Sequence, residues 1–291
     1  MQAKVSAFAG GVVQEVWQPQ DERQAAAVCR GLGARGIPYV AVGGGTDLLV
    51  PDRGVQGVCV SLCGLNAVRR IDDVCWDCGA GVRLPRLARS WADGGCAGMQ
   101  ALSGIPGTLG GALAMNAGAF GAEIASLVQS VRVVDDHGNI AVLGGDEIDW
   151  GYRRGVPAKY TVTGAVLRGL VGNRAQILQD MQEYARLRHA TQPALPSLGS
   201  VFRRSGGISA GAYIERVGLK GYRLGDVCIS DVHANFIVAC GIRACADDYI
   251  RLARLAAERV DKHCGVALEY EIRILTDHGI VHDVRAYPYR E

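Results

Sequence analysis

The sequence predicts an α+β protein of more than one domain, on three observations. Stretches with apolar residues every three to four positions alternate with stretches where they recur every second position, the marks of helices and strands in turn. The 291 residues exceed what one hydrophobic core usually organises. Apolar residues make up 49% and charged residues 21%, the balance of an ordinary globular chain. Formal net charge is +2, which argues against nucleic acid or an acidic membrane surface as a partner. Residues 1–10 carry one lysine and no apolar signal core, and no later run reaches membrane-spanning length. That predicts a cytoplasmic protein without membrane insertion.

Residues 21–32 read as a helix, with Ala25, Val28, Cys29 and Leu32 on one face and Gly33 as its stop. Strands follow at 37–42, 57–60 and 75–78. A short helix carries Leu84, Leu87, Ala88 and Trp91 to a stop at Gly94-Gly95. A strand at 128–134 enters a turn at Asp136-His137-Gly138-Asn139, and an apolar strand at 162–170 closes this half. The second half opens with a helix at 175–189 and a loop punctuated by Pro193 and Pro196. A shorter helix at 212–218 leads to strands at 227–230 and 235–238. An amphipathic helix at 246–264 aligns Tyr249, Leu252, Ala253, Ala256 and Val260 and stops at Gly265; a strand at 268–275 is the last. These patterns divide the chain at residue 170. The first domain, 1–170, has two parts split near residue 60, and the second is 171–291.

Two segments do not suit a packed core. The run from Gly104-Ile105-Pro106-Gly107-Thr108 through Gly110-Gly111-Ala112 to Asn116-Ala117-Gly118 is dense in glycine and nearly free of charge. Gly43-Gly44-Gly45-Thr46-Asp47-Leu48 has the same character. Glycine loses the most backbone freedom on ordering, so such runs belong where main chain closely approaches a large ligand and presents N–H groups to it. A separate match, Gly31-Leu32-Gly33-Ala34-Arg35-Gly36, has the spacing of a dinucleotide fingerprint but follows a helix and precedes a strand, the reverse of the required order. It reads as a helix-terminating turn.

The ten cysteines include two pairs with metal-ligand spacing, Cys59/Cys63 and Cys75/Cys78. They alternate with valine and tryptophan in strand-like stretches, without the turn glycines of a zinc knuckle. They are therefore expected as core residues, with a zinc-stabilised binding protein as the alternative and no metal in the preferred reading.

The two glycine segments resemble those of flavoproteins of the vanillyl-alcohol oxidase (PCMH) type, in which backbone amides cradle the diphosphate of FAD. The resemblance narrows to the UDP-N-acetylenolpyruvoylglucosamine reductase family. It is carried by both segments together with Tyr152-Arg153, Gly199-Ser200-Val201-Phe202, residues 218–225, Ser230-Asp231-Val232-His233-Ala234-Asn235-Phe236, and Leu268-Glu269-Tyr270-Glu271-Ile272-Arg273, in this order. The short stretch between Arg153 and Ser200 resembles the compact second type of this family. The likeness implies a two-part FAD-binding domain followed by a smaller α/β substrate-binding domain. It also implies non-covalent FAD, since no histidine lies near the first loop. A same-fold oxidase is the nearest alternative.

The implied reaction is a hydride relay: NADPH reduces FAD and leaves, and a UDP-sugar enolpyruvyl ether then takes hydride at its terminal carbon. The carbon beside its carboxylate is left carbanion-like and takes a proton. Such chemistry needs a cation at the carboxylate and a positioned acid. The resemblance assigns these roles to Arg153 and Ser200, with Glu271 as a third catalytic group. Alternation alone puts Glu269 and Glu271 on the same face and does not separate them. Glycines 43–45, Thr46, Asp47, Leu48 and the second segment are implied to hold FAD. Tyr152, Arg203, Arg204, His233 and Asn235 are implied to meet substrate, with His233 structural or substrate-adjacent. The chain departs from the family at Arg203-Arg204-Ser205, where Lys-Asn-Pro is usual, and at Gly155, where serine is usual. Phe120 stands for a tyrosine and Thr46-Asp47 for Ser-Asn; an aspartate beside a diphosphate must turn away or cap the loop.

Overall fold

A computed structural model describes residues 10–204, 207–281, 284 and 287, so Ser205 lies outside the described residues. The chain forms two compact units. One draws on the chain up to Glu15, on Gly45–Gly57 and on the chain from His189; the other is Val16–Gly44 with Val58–Arg188.

In the second of these, five antiparallel strands form a sheet in the order Ile140–Gly144, Val128–Val134, Thr161–Arg168, Cys75–Gly79, Val68–Arg70. Val131, Val133, Ala165 and Leu167 turn inward to meet Trp76, Trp91, Leu87 and Leu113 in one core. Strand alternation buries these and leaves Arg132 to pair with Asp77 at 2.6 Å and Glu22 at 3.3 Å. The helix Glu22–Gly33 starts where Asp21 accepts the Gln24 N–H at 2.8 Å, and it buries Ala25, Ala26, Cys29 and Leu32. Gly36, at φ +62°, turns the chain toward the strand Tyr39–Val42, so the Gly31–Gly36 run closes a helix as its context requires.

In the other unit, Ser197–Ser200, Phe236–Ala239, Val227–Ile229 and Arg223–Leu224 form an antiparallel sheet in that order. The helix Ala246–Cys264 packs Tyr249, Ile250, Leu252, Ala253 and Val260 into this unit's core and ends at Gly265, φ +66°. Leu48–Leu49 pairs in parallel with Arg273 and Ile274.

Alternation suggests a continuous strand over 268–275, yet only Arg273–Thr276 is regular strand. The chain changes partner on the way: Tyr270 bridges Phe202, whereas Arg273 and Ile274 pair with Leu48–Leu49. The pattern also missed the helix Leu109–Met115 inside the second glycine segment, because Gly110 and Gly111 dilute its apolar repeat.

Of the cysteines, Cys59 and Cys78 are buried, and burial pushes both thiols up to about 12. Cys63 instead donates to Gly43 O at 3.3 Å, and Cys75 Sγ accepts from Arg168 at 3.2 Å. Each close pair thus points to different partners. Among the described residues no group of three or more His, Cys, Asp or Glu side chains is placed to hold a metal ion.

Candidate active site

The second glycine segment folds as a tight loop entering the helix Leu109–Met115. Gly107 sits at φ +113°, a conformation that favours glycine. The helix's first amides are partly committed: Leu109 N–H donates to Val82 O and Gly110 N–H to Ala80 O, both at 2.8 Å, and Ala112 N–H to Thr108 O at 3.0 Å. Gly111 is the first-turn amide left over among the described residues. Beside it, Thr108 Oγ1 is buried without a hydrogen-bond partner. Gly43 closes the same corner, since a methyl there would drive into Thr108 Oγ1 and stand 3.7 Å from Gly111 N. A bare main chain, a spare amide and an unpaired hydroxyl suit a phosphate oxygen, so these residues fit the anionic half of FAD.

Sequence reasoning missed Arg188. Its Cδ lies 3.0 Å from where a Gly104 Cβ would be, and burial lowers the pKa of its guanidinium. No carboxylate among the described residues pairs with it. The only available signal was a lone arginine at the end of a helix, which marks nothing by itself.

Asp47 turns to Arg273, whose guanidinium donates to its two carboxylate oxygens at 2.9 and 3.2 Å. The aspartate's charge is thereby balanced by a guanidinium of the same unit. Gly45, at φ +65°, and the buried Leu48 complete this loop's described geometry.

Tyr152 and Arg153 form the tip of a two-residue turn closed by Gly151 N–H to Arg154 O (2.9 Å) and Arg154 N–H to Gly151 O (3.0 Å). Arg153 is at φ +55°, and its guanidinium carbon lies 4.9 Å from the centre of the Tyr152 ring. Gly155 explains its own departure from the family, because a Cβ there would enter Leu113 O. The buried Asn116 spends its side chain on protein, donating to Glu123 at 2.8 Å and to Gly151 O at 3.1 Å. Phe120 stacks on Tyr184, ring centres 5.1 Å apart.

Ser200 follows a glycine bulge. From the Ser197–Val238 pair to the Ser200–Phe236 pair one strand advances three residues and the other two, with Gly199 at φ +78°. Bulges of this kind re-aim the next side chain and recur beside active sites. Ser200 is half-buried, caps no helix, and its Oγ has no hydrogen-bond partner among the described residues. Immediately after it, Val201 O accepts the Glu271 N–H at 2.8 Å. The Phe202–Tyr270 bridge thus sets Glu271 opposite Val201, one residue along the chain from Ser200. Arg203 takes Glu269 at 2.9 Å, which separates the two glutamates that alternation left equivalent. Arg204 is exposed.

Asn235 clamps Phe202, accepting its N–H at 3.0 Å and donating to its carbonyl at 2.8 Å, so its amide is spent on backbone. His233 Nδ1 accepts the Asn235 N–H at 3.1 Å, which leaves the proton of the neutral ring on Nε2. Burial holds its pKa below the ordinary value.

A family model described as FAD binding domain matches residues 13–144. Another, described as UDP-N-acetylenolpyruvoylglucosamine reductase, C-terminal domain, matches residues 191–275. The UDP-N-acetylenolpyruvoylglucosamine reductase of Heliobacterium modesticaldum is 39% identical over 265 residues, 90% of this chain and 84% of that protein. That of a Synechococcus strain is 38% identical over 270 residues, 91% of this chain and 86% of that protein. The crystal structure of the Thermus caldophilus reductase superposes with a TM-score of 0.79 at 33% identity, covering 93% of this chain and 95% of that one.

Proposed function

Because the chain belongs to the UDP-N-acetylenolpyruvoylglucosamine reductase family, we infer that Arg153, Ser200 and Glu271 are its catalytic groups. The protein is an FAD-dependent oxidoreductase of peptidoglycan synthesis. It reduces UDP-N-acetyl-3-O-(1-carboxyvinyl)-glucosamine to UDP-N-acetylmuramate. When bound, FAD carries hydride from NADPH to the terminal carbon of the enol ether. We place the reaction in the cytoplasm. No helix among the described residues is long and apolar enough to cross a membrane.

The Gly43 corner, Thr108 Oγ1 and Gly111 N–H would hold the diphosphate of FAD, and Arg188, packed on Gly104 of the same glycine segment, would supply a cation. Arg153 grips the substrate carboxylate through two parallel hydrogen bonds, and the attraction strengthens as that group gains enolate charge. Ser200 gives its hydroxyl proton to the adjacent carbon; an Oγ without a competing partner is free to do so. Glu271 is the third catalytic group; beside a carboxylate substrate it would have to be protonated or tightly coupled to Arg153, because two bare anions repel. Glu269 is already balanced by Arg203 and takes no part. Tyr152 and Arg204 contact the sugar nucleotide, while Asn235 and His233 hold the Ser200 strand in place.

The observation that carries this assignment is a half-buried serine aimed by a glycine bulge, with Glu271 bonded to the next residue. Stopped-flow absorbance tests it. Ser200→Ala should leave reduction by NADPH intact and slow reoxidation by the enolpyruvyl sugar about 100- to 10,000-fold, the usual contribution of a positioned acid. Equal rates in both half-reactions would remove Ser200 from the mechanism.

A further inference from the structure

Among the described residues three that are not glycine hold a positive φ: Asn116 at 43°, Phe120 at 51° and Arg153 at 55°. Left-handed backbone is disfavoured for L-residues, and where it persists the surroundings must enforce it. Two of these residues are joined. Asn116 Nδ2 donates to Gly151 O at 3.1 Å, and this carbonyl also accepts the Arg154 N–H that closes the turn bearing Arg153. On the far side of the turn, Val156 N–H donates to Leu113 O at 3.1 Å. The arginine turn is therefore tied at both feet to the C-terminal end of the helix Leu109–Met115.

The Asn116 amide must face one way for this to work. Its Nδ2 also donates to Glu123 Oε2 at 2.8 Å, and its Oδ1 accepts the Ala125 N–H at 3.2 Å. A carboxylate only accepts, so Glu123 fixes the NH2 edge on its own side. Without it the shortest of the three bonds that hold the amide is lost, and only the longer bonds to Gly151 O and from the Ala125 N–H are left to orient it. Glu123 is exposed, on the short strand Ala122–Glu123, and makes no ion pair among the described residues.

We propose that Glu123 and Asn116 are positioning residues for the reaction. Glu123 orients the Asn116 amide, and Asn116 fixes the Gly151 carbonyl and so holds Arg153 in the left-handed turn from which it meets the substrate carboxylate. The role rests on the reading of Arg153 given above. Nothing in it requires Glu123 to touch substrate or cofactor.

The test uses the FAD-loaded enzyme and follows both half-reactions by stopped flow for Glu123→Ala, Glu123→Gln, Arg153→Ala and the double variant Glu123→Ala/Arg153→Ala. Glu123→Ala should keep its FAD and its rate of reduction by NADPH, while reoxidation by the enolpyruvyl sugar falls about tenfold or more, as expected for a misplaced binding group. Glu123→Gln loses the charge but keeps an acceptor oxygen, so it should restore most of that rate. In the Arg153→Ala background the Glu123→Ala change should cost nothing further, because the two act through one contact. A general structural role predicts the same loss in both backgrounds, and that result would overturn the proposal. So would equal slowing of both half-reactions, loss of FAD, or unchanged reoxidation in Glu123→Ala. If Arg153→Ala alone reoxidises at the wild-type rate, the carboxylate role fails and the positioning role goes with it; that arm tells the two failures apart.

Discussion

Thr108→Val should move two measurements in opposite directions. The Thr108 hydroxyl is 2% exposed and unpaired in the protein, with Gly43 against it. Burying an unsatisfied hydroxyl costs about 1–3 kcal/mol, and valine removes that cost at nearly the same volume. The apoprotein should therefore gain about 1 kcal/mol, a rise of about 2–4 °C in Tm for a chain of this size class. With FAD bound, the hydroxyl donates to a phosphate oxygen, and a hydrogen bond to a charged group contributes about 1.5–3 kcal/mol. Its loss should raise the Kd for FAD about 10- to 150-fold. Thermal unfolding of the apoprotein gives the first quantity, and flavin fluorescence titration gives the second. An unchanged Kd, or stability and affinity falling together, would refute the idea that this corner holds the diphosphate.

Arg188→Met keeps the stem that packs on Gly104 but removes the charge, and FAD affinity should fall about tenfold, about 1.4 kcal/mol; the same titration checks it, and an unchanged Kd rejects the anion-holding role. Gly155→Ser restores the residue usual in the family yet forces a Cβ into Leu113 O. Overpacking of this kind costs about 1–3 kcal/mol, so Tm should drop rather than rise in a melting experiment. His233 is held below its ordinary pKa of 6.5 by burial. The unfolded chain then takes up the proton first as pH falls. Stability from the neutral ring is complete above about pH 6.5 and is lost on acidification toward the folded-state value. His233→Gln should flatten the fall in Tm between about pH 7 and 5, and an unaltered slope would show that this ring does not govern it.

Much of this was legible in the residues. The helix at 246–264 and the strand at 128–134 were readable to the residue, because each has a strong period and a clear stop. The two glycine segments announced a ligand-facing main chain, and the family blocks named FAD and the reaction. Legibility failed where the local pattern was shared between partners or diluted. The strand expected over 268–275 breaks because its two halves pair with different segments. The helix at Leu109–Met115 was hidden by the glycines that let Gly43 come close. Arg188 carried no motif, and its isolation from carboxylates exists only in three dimensions.

By itself the sequence determined most of the helices and strands and set apart the two glycine segments, since backbone preference and apolar period act over a few neighbouring residues. Only the tertiary structure decided which charges and amides meet. Asp47 finds Arg273 across 226 positions, Glu269 finds Arg203 across 66, and the Glu271 N–H finds the carbonyl of Val201. Asn116, which reads as one more residue of a cofactor loop, spends its amide on the turn that carries Arg153. Many opposite charges and many amides would satisfy one another equally well in an open chain. Packing selects one partner for each, because burial penalises every polar group left unpaired.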